Sequence, residues 1–407
     1  MSIMTAAAYR RQLLTQIRAT PTIDVEVEHA RAMVLAHDLY AREQIPPFTN
    51  SAMDGYAVQA SDLIDATGEH PVSLPVAEDV PAGRTDRLTL APGTAIRIMT
   101  GAPMPVGADT VIPVELTDGG TSSVLIYDQR SAGSHVRGAG DDLRQGDLVL
   151  RAGTRLTARH IGAAAAAGHG VLTVHRRPKV AVISTGSELV TPGAKLEHGQ
   201  IPDSNSYVLA AAATEAHCDT VRVGALVDDE AAFADILAQL SPEVDAIICS
   251  GGVSVGAYDV VKAVLAPIPT MWFGPVAMQP GKPQGSGRLT DGTAMITLPG
   301  NPVSVYVSFE VFVRPALQAM AGEHDVEPRF LPARAATSWP SPPGREQYMP
   351  VTIDHRGVTP LVHPSSRRGS GSHLVGGLAG ADGLARVAAQ ITDVREGDIV
   401  DVLEGVR

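Results

Sequence analysis

Three apolar segments, each followed by a loop of small residues, most constrain the fold of this chain. They are residues 180–184, 246–250 and 294–298. Such runs predict buried strands, and each is predicted to lead through its loop into a helix. Strand and helix units joined by right-handed crossovers form a parallel sheet. All three loops would then meet at one edge of that sheet, where free backbone N–H groups favour an anionic ligand.

The loops carry residue types that suit phosphate and metal binding. The backbone N–H groups of Gly251, Gly252 and Gly256 are predicted to surround phosphate oxygens. The carboxylates of Glu188 and Asp259 lie beside them in sequence, which suggests a metal ion between acid and anion. A plainer explanation is open for both acids, because a carboxylate in the first turn of a helix offsets the helix dipole.

The second loop also matches the Gly-x-Ser-x-Gly elbow of serine hydrolases, with Ser254 as the nucleophile. A hydrolase would need a histidine to complete its triad. The histidines available for that role lie at or beyond the end of the α/β region: His324, His355, His363 and His373. A glycine loop that faces phosphate explains the same residues without requiring a catalytic histidine, so the hydrolase remains the weaker interpretation.

Prolines shape two further candidate positions. Pro299 follows a buried strand and fixes the backbone where a ligand would approach. Pro302 follows Asn301, a natural N-cap, and suits the first position of a helix. Lys282 lies between two prolines on a constrained turn, where it is either a solvated lysine or a point charge for an oxyanion.

Composition limits the kind of protein that this chain can be. With 407 residues, two to four domains are expected. The formal net charge of -12, without a basic block, argues against a nucleic-acid partner. No apolar run is long enough to cross a bilayer, and the first residues lack the pattern of a signal peptide, so a cytoplasmic protein is expected. Cys218 and Cys249 are too few for a disulfide scaffold.

Outside the α/β region the pattern changes several times. Residues up to about Arg42 are predicted to be helical, with a short extended entry near Val25. Proline and glycine then interrupt short apolar runs to about Leu150, as in an all-β domain, and a second helix is predicted to end at Gly168. The last part reads as a small β domain behind the proline-rich residues 330–343.

Six motifs in order along the chain resemble one known family. They are residues 46–58, 97–102, 140–142, 184–189, 251–256 with Asp259, and 298–304. Residues 46–58, Pro-Pro-Phe-Thr-Asn-Ser-Ala-Met-Asp-Gly-Tyr-Ala-Val, are the most specific of these. The chain resembles the molybdopterin molybdenumtransferases (MoeA-like), a family that includes the E domain of gephyrin. The resemblance extends over essentially the whole chain.

The resemblance implies an α/β multidomain fold with an elongated subunit. A parallel-sheet, molybdopterin-binding-like α/β domain is combined with two β-rich domains and a small helical discontinuous domain. The implied boundaries are 1–47 plus 145–177 for the discontinuous domain, 48–144 for the first β-rich domain, 178–327 for the α/β domain and 328–407 for the C-terminal β domain. The family assembles as homodimers, with the cleft between one subunit's α/β domain and the partner's β domain.

The resemblance also implies an activity. Molybdate is inserted into the dithiolene of adenylylated molybdopterin, with Mg²⁺-dependent release of AMP, by a transferase of molybdenum cofactor biosynthesis. Contacts with other cofactor-biosynthesis proteins and with apo-molybdoenzymes are implied as well. Three alternatives stay open: a molybdopterin adenylyltransferase, the serine hydrolase with Ser254, and a non-catalytic scaffold.

Site roles follow from matching motifs. Asp259 and Glu188 would serve Mg²⁺ and the phosphoanhydride, with Asp228 nearby. The side of the cleft formed by the partner subunit would carry three more residues: Asp54, Thr100 and Asp142.

Molybdate would be bound by a second group of residues. Lys282, Arg345 and Ser370 match the family's molybdate positions, although the choice among the serines near Ser370 stays open. Pro299 and Pro302 would shape the wall of the site. Gln279 replaces a lysine that is common in the family, which removes one positive charge from the oxyanion site.

Overall fold

The structure is a computed structural model that describes residues 3–84, 86–252, 260–366 and 371–405. The predictions for Ser254, Gly256, Asp259 and Ser370 therefore lie outside the described residues. None of the helices among the described residues is both long enough and apolar enough to cross a membrane.

The first helix is shorter than the sequence predicts. Helix α1 (Ala6–Thr15) begins at Thr5, whose hydroxyl accepts a hydrogen bond from the backbone N–H of Ala8, and its buried face joins the core of the α/β region. The helix predicted to continue to Arg42 is wrong beyond this point, because short strands follow. They are β1 (Thr22–Glu26), β2 (Val34–Leu35) and β3 (Leu39–Tyr40).

The next region is rich in β-structure, as its proline and glycine pattern predicts. Its strands are β4 (Asn50–Ser51), β5 (Gly55–Val58), β6 (Val72–Val80), β7 (Ala95–Ile98), β8 (Thr110–Pro113), β9 (Ser123–Ile126) and β10 (Val136–Arg137). Five of them form a sheet in the order β8-β5-β7-β6-β9, and β10 pairs with β4. Strands β5 and β7 are antiparallel neighbours.

The chain then returns to the unit that it left after β3. It adds β11 (Leu148–Leu150), α2 (Ala158–Ala166) and β12 (Val171–His175). Strand β12 lies between β1 and β2, and β11 pairs with β3, so two distant segments share one small core. Helix α2 ends as predicted at Gly168, which has a φ of +89°.

The α/β region contains the three strands predicted from the apolar segments. Its elements are β13 (Lys179–Thr185), β14 (Leu189–Val190), β15 (Ile201–Pro202), α3 (Asn205–Glu215), β16 (Asp219–Leu226), α4 (Glu230–Leu240), β17 (Ala246–Ser250), α5 (Val260–Leu265), β18 (Trp272–Pro275), β19 (Met278–Gln279), β20 (Pro283–Arg288), β21 (Ala294–Leu298), α6 (Pro302–Ser308) and α7 (Arg314–Met320). A π-helical turn, Phe309–Val313, joins the last two helices.

The order of the main sheet is β16-β13-β17-β21-β20-β18. Its first four strands are parallel, so the three predicted strands are parallel and adjacent, as expected. Side chains alternate between two cores, with Val180 and Val182 on one face and Ala181 and Ile183 on the other. Burial on both faces explains the continuous apolar runs, since each fully buried valine or isoleucine contributes about 1.5–3 kcal/mol.

Two of the predicted strand exits lead to different kinds of element. Helix α6 begins at Pro302 with Asn301 as its N-cap, as predicted. The exit from β13 differs, because a turn at Gly186 leads into the short strand β14. Glu188 therefore lies in a turn, and the interpretation of it as a first-turn helix residue is wrong.

The C-terminal region forms a closed β-structure. Its elements are β22 (Leu331–Ala335), β23 (Trp339–Pro340), β24 (Glu346–Asp354), β25 (Leu361–Pro364), α8 (Val375–Ala379), β26 (Gly383–Val387), β27 (Asp393–Val394) and β28 (Ile399–Glu404). Strands follow the order β24-β25-β22-β28-β26, and β26 pairs back to β24. Strand β19 of the α/β region pairs with β24 in parallel, which joins the two regions.

Candidate functional site

The loops after β13, β17 and β21 are packed against one another. Gly251 has a φ of +95°, and a Cβ atom on it would lie 2.6 Å from the carbonyl oxygen of Thr185. A Cβ atom on Gly300 would lie 3.6 Å from the Cα of Gly251. Both the left-handed φ and the close approach of backbone require glycine at position 251. The predicted meeting of the three loops is confirmed.

A cleft of about 1170 Å³ opens at this edge of the sheet. Its walls come from the strand-exit loops, the turn before β20, the start of α6 and two segments of the C-terminal region. The predicted site residues that line it are Glu188, Asp228, Gly251, Gly252, Lys282, Pro299, Pro302 and Arg345. Gln279 lines it as well.

Two exposed carboxylates, Glu188 and Asp228, belong to this cleft. The Oδ2 atom of Asp228 accepts hydrogen bonds from the backbone N–H and the hydroxyl of Ser187, at 2.9 and 3.1 Å. The backbone N–H of Ile201 donates to the carbonyl oxygen of Glu188 at 2.9 Å, which anchors the turn to β15. The two acids are therefore presented on a hydrogen-bonded turn.

These carboxylates suit a hard cation such as Mg²⁺, which binds one or two carboxylates and keeps several waters. Among the described residues, no cluster of three or more histidine, cysteine, aspartate or glutamate side chains is placed to hold a metal ion. Asp259, the remaining predicted ligand, lies outside the described residues. The acids of the described cleft therefore fit part of a magnesium site.

The basic residues of the cleft come from different regions. Lys282 lies on the turn before β20, whereas Arg345 directly precedes β24. The pairing of β19 with β24 sets Met278 opposite Glu346, and the backbone N–H of Glu346 donates to the carbonyl oxygen of Ala277 at 2.9 Å. Strand pairing between regions therefore places the guanidinium of Arg345 at the cleft that Lys282 also lines.

The backbone that carries Lys282 is held from both sides. The side-chain amide of Gln284 donates to the carbonyl oxygen of Gly281 and to the hydroxyl of Ser308, both at 2.7 Å. The backbone N–H of Val276 donates to the carbonyl oxygen of Lys282 at 2.7 Å. Gln284 and Ser308 are buried, whereas Lys282 is exposed, so a fixed turn presents a hydrated ammonium group to the cleft.

Sequence reasoning missed Asn205 as a cleft residue. Its buried amide donates to the carbonyl oxygen of Gly300 at 2.7 Å, which links α3 to the loop after β21. Its Oδ1 atom and the hydroxyl of Thr185 are buried without a hydrogen-bond partner among the described residues. Its only sequence signal was its position at the start of a helix, where asparagine is ordinary. Both residues line the cleft, so a polar group bound there can satisfy these atoms.

The segment near Ser370, which the resemblance implies at the molybdate positions, reaches the cleft through Ser372. Ser372 and His373 line the cleft, and the carbonyl oxygen of Ser372 accepts a hydrogen bond of 3.1 Å from the backbone N–H of Val303. This contact docks the segment on the start of α6. The contact with α6 depends on the packing of two regions, so the sequence alone does not show it.

The three residues expected from a partner subunit lie elsewhere. Asp54 and Thr100 are both exposed, and the Oδ1 atom of Asp54 accepts hydrogen bonds from the N–H and hydroxyl of Thr100, at 2.6 and 2.8 Å. These bonds lower the pKa of Asp54 below its ordinary value. Asp142 lies on another turn, where its N–H donates to the carbonyl oxygen of Ile45 at 2.9 Å. None of the three lines the cleft.

Family models match the chain along most of its length. Residues 2–168 match "MoeA N-terminal region (domain I and II)", residues 181–319 match "Probable molybdopterin binding domain", and residues 332–404 match "MoeA C-terminal region (domain IV)". Molybdopterin molybdenumtransferase 2 of Mycobacterium tuberculosis is 45% identical over 400 residues, which cover 97% of this chain and 98% of the relative. The chain belongs to the MoeA family.

Other relatives agree with the MoeA assignment. Molybdopterin molybdenumtransferase of a Nostoc species is 36% identical over 384 residues, which cover 93% of this chain and 88% of the relative. The crystal structure of the molybdopterin biosynthesis protein MoeA of Pyrococcus horikoshii superposes with a TM-score of 0.84, at 27% identity and with coverage of 99% and 100%. The α/β multidomain class and the family resemblance are both confirmed.

Proposed function

We propose that this chain is a transferase of molybdenum cofactor biosynthesis that inserts molybdate into the dithiolene of adenylylated molybdopterin and releases AMP. The proposal follows the names of its MoeA relatives. The observation that carries it is that one cleft combines Glu188 and Asp228 with Lys282 and Arg345. A substrate that carries a phosphoanhydride and reacts with an oxyanion needs both kinds of charge.

The basic side chains would hold molybdate. The guanidinium of Arg345 can donate two parallel N–H bonds to an oxyanion, and the ammonium of Lys282 adds a point charge. Because the formal net charge of the chain is -12, local cations are needed to retain an anionic substrate. These residues would bring molybdate close to the dithiolene, so proximity contributes to the rate and no covalent enzyme intermediate is required.

The strand-exit loops would hold the nucleotide side of the substrate. The N–H groups of Gly251 and Gly252 are suited to phosphate oxygens, because glycine lets the backbone approach closely. Glu188 and Asp228, with Asp259, would hold Mg²⁺. The positive charge of an ion held there would offset the negative charge of the phosphoanhydride and of the AMP phosphate.

The decisive experiment supplies the purified chain with adenylylated molybdopterin, molybdate and Mg²⁺, and follows AMP release and cofactor formation. Glu188→Gln and Asp228→Asn should raise the Mg²⁺ concentration needed for half-maximal AMP release by at least about tenfold, the scale known for weakened metal shells. Glu69→Gln changes an exposed acid outside the cleft and serves as the control.

Other outcomes would identify the alternatives. Consumption of ATP with molybdopterin that lacks the adenylyl group would indicate an adenylyltransferase. Ester cleavage that Ser254→Ala abolishes would indicate a hydrolase, and partner binding without any turnover would indicate a scaffold. An unchanged Mg²⁺ response in both acid variants would contradict the metal assignment.

We further propose a homodimer in which each cleft is completed by the partner subunit's Asp54, Thr100 and Asp142. The support is that these positions match the family motif but lie outside the cleft of their own chain. Mixing inactive Asp54→Ala and Glu188→Ala subunits tests the arrangement. About half of the randomly formed dimers would contain one subunit of each kind, and one of the two clefts in such a dimer would have both residues intact. About a quarter of wild-type activity should therefore return. No recovery after verified subunit exchange would contradict it.

A cytoplasmic location is part of the proposal. Cys218 and Cys249 are buried and are not joined in a disulfide bond, which fits a reducing compartment. Expression of a tagged chain followed by fractionation checks this location, and recovery of the chain outside the cytoplasmic fraction would contradict it.

A further inference from the structure

A second cavity lies at the opposite edge of the main sheet. It measures about 230 Å³ and lies where β17 and β21 begin, whereas the cleft lies where these strands end. One wall is the segment that joins α1 to β1, and the other wall belongs to the α/β region. Lining side chains with polar groups are Gln16, Arg18, Thr20, Asp245, Arg288 and Thr293.

The charges of this cavity are unbalanced. Arg18 and Arg288 both line it, and Asp245 is the acid among its lining residues. The carboxylate of Asp245 is already engaged, because it accepts two hydrogen bonds of 2.7 Å from the guanidinium of Arg176 and one of 2.8 Å from the backbone N–H of Lys179. The cavity therefore presents two cations, and the acid that lines it is already paired with another arginine.

Neither arginine has an ionic partner in the described part of the chain. The guanidinium of Arg288 reaches the carbonyl oxygen of Gly292 at 3.4 Å, a long hydrogen bond. Partial burial lowers the pKa of Arg288, and the charge of Arg18 lowers it further. An anion between the two guanidinium groups would relieve both the desolvation and the repulsion.

We propose that this cavity binds a tetrahedral oxyanion, such as inorganic phosphate or molybdate, between Arg18 and Arg288. Guanidinium groups match such ions because two N–H donors can face two oxygens at once. The cavity is smaller than the roughly 300–1,000 Å³ of ordinary ligand pockets, which favours a small ion over a nucleotide. Gln16 lines the cavity as well, and its side-chain amide is a possible further donor to an oxyanion.

The bound ion would connect two parts of the chain. Arg18 lies on the segment between α1 and β1, whereas Arg288 is the last residue of β20 in the main sheet. An ion held by both would fasten this segment to the edge of the sheet opposite the cleft. This role is separate from molybdate binding at Lys282 and Arg345.

Isothermal titration calorimetry tests the site with inorganic phosphate and with molybdate, at constant ionic strength in chloride. The full chain carries Lys282→Gln and Arg345→Gln in every titration, so that the cleft does not contribute an anion site. In this background one ion should bind per chain. Adding Arg18→Gln or Arg288→Gln should weaken binding by about tenfold or more, because each removes a charged hydrogen-bond donor.

Matched variants separate this site from general charge. Arg11→Gln removes an exposed arginine on α1 outside the cavity and should leave binding unchanged. Arg288→Lys keeps the charge but loses the two parallel N–H donors of the guanidinium. Its affinity for the ion should therefore lie between that of the chain with Arg288 intact and that of Arg288→Gln. Arg18 is exposed, so Arg18→Gln tests the site even where a change at Arg288 affects folding.

The comparison of the two ions identifies the natural one, since the tighter ligand is the better candidate, and either preference supports the site. Equal affinity in the Arg18→Gln, Arg288→Gln and Arg11→Gln chains would overturn the proposal, as would the absence of binding by both ions. No turnover is measured, so the result is independent of the proposed function.

Discussion

The cleft of the α/β region and the Asp54–Thr100 pair of the β-rich region show two ways to present polar groups. In the cleft, loops from several strands pack so closely that Gly251 cannot carry a side chain without a clash. Asp54 is exposed, and its Oδ1 atom accepts two hydrogen bonds from Thr100. The cleft is lined by loops from several strands of one chain, whereas the Asp54–Thr100 pair lies outside it.

Sheet geometry explains this difference. Parallel strands all deliver their exit loops to one edge, where β13, β17 and β21 bring three loops together. Strands β5 and β7 are antiparallel, with Gly55 opposite Ile98, so the residue before one strand meets the residues after the other. That local pairing places Asp54 beside Thr100 on a different sheet from the cleft.

The largest expected effect tests the tight packing of the cleft. Gly251→Ala forces a side chain onto a φ of +95° and within 2.6 Å of the carbonyl oxygen of Thr185. We expect the free energy of unfolding to fall by about 2–4 kcal/mol, from strain and overpacking together. Urea unfolding monitored by circular dichroism measures the change.

Its matched control lies in the β-rich region. Gly119 has a φ of +71°, and a Cβ atom there would meet no atom within 4 Å. Gly119→Ala should therefore lose only about 1 kcal/mol, the cost of a left-handed backbone conformation. Equal losses in the two variants would show that the loops of the cleft are not packed more tightly than an open turn.

An intermediate effect tests the cations of the two regions. Arg345→Gln removes a guanidinium from the cleft and should lower kcat/KM for molybdate by about 10- to 100-fold, the loss expected for hydrogen bonds to a charged group. Arg130 of the β-rich region is partly exposed and pairs with Asp128 at 2.8 Å. Arg130→Gln should leave kcat/KM within about twofold, since exposed ion pairs contribute little. Similar losses in both variants would contradict a specific oxyanion site at Arg345.

The smallest effect concerns the Asp54–Thr100 pair. Because hydrogen bonds from Thr100 lower the pKa of Asp54, they stabilise the fold above the ordinary pKa of about 4, and this contribution is lost as the pH falls through the lowered value. Thr100→Val removes the hydroxyl donor but keeps the backbone N–H, so the pKa of Asp54 should rise part of the way towards its ordinary value. Carboxylate titration by NMR measures it.

Thr94→Val is the control for that titration. The hydroxyl of Thr94 donates to the carbonyl oxygen of Ala91 and has no role at Asp54. The titration of Asp54 should be the same as in wild type. If Thr100→Val leaves the titration of Asp54 unchanged as well, the hydroxyl bond does not form in solution.

Local sequence predicted the central strands better than the segments around them. Strands β13, β17 and β21 are buried on both faces, so their residues are continuously apolar and easy to identify. The helix predicted to reach Arg42 was wrong because β1 pairs with β12, a strand far along the chain, and this pairing overrides local helical periodicity. The helix predicted after β13 was wrong for a similar reason, because the residues there form β14, which pairs with β15.

The candidate site was predictable where chemistry and backbone shape occur together. The sequence predicted Pro299, Gly251 and Lys282 as site residues because glycine and proline mark the loops that carry them, and all three line the cleft. Asn205 was missed because only packing shows that its amide reaches the loop after β21. The roles of Asp259 and Ser370 stay predictions.

By itself the sequence determined the buried parallel strands, the glycine loops between them and the family motifs, because each depends on side chains that are neighbours along the chain. Only the tertiary structure decided which of these features share a site. Arg345 lines the cleft because β24 pairs with β19, and Asp54 lies outside it because β5 belongs to another sheet. Pairing between distant strands depends on backbone hydrogen bonds and shared cores, and these leave no local pattern that could be read in advance.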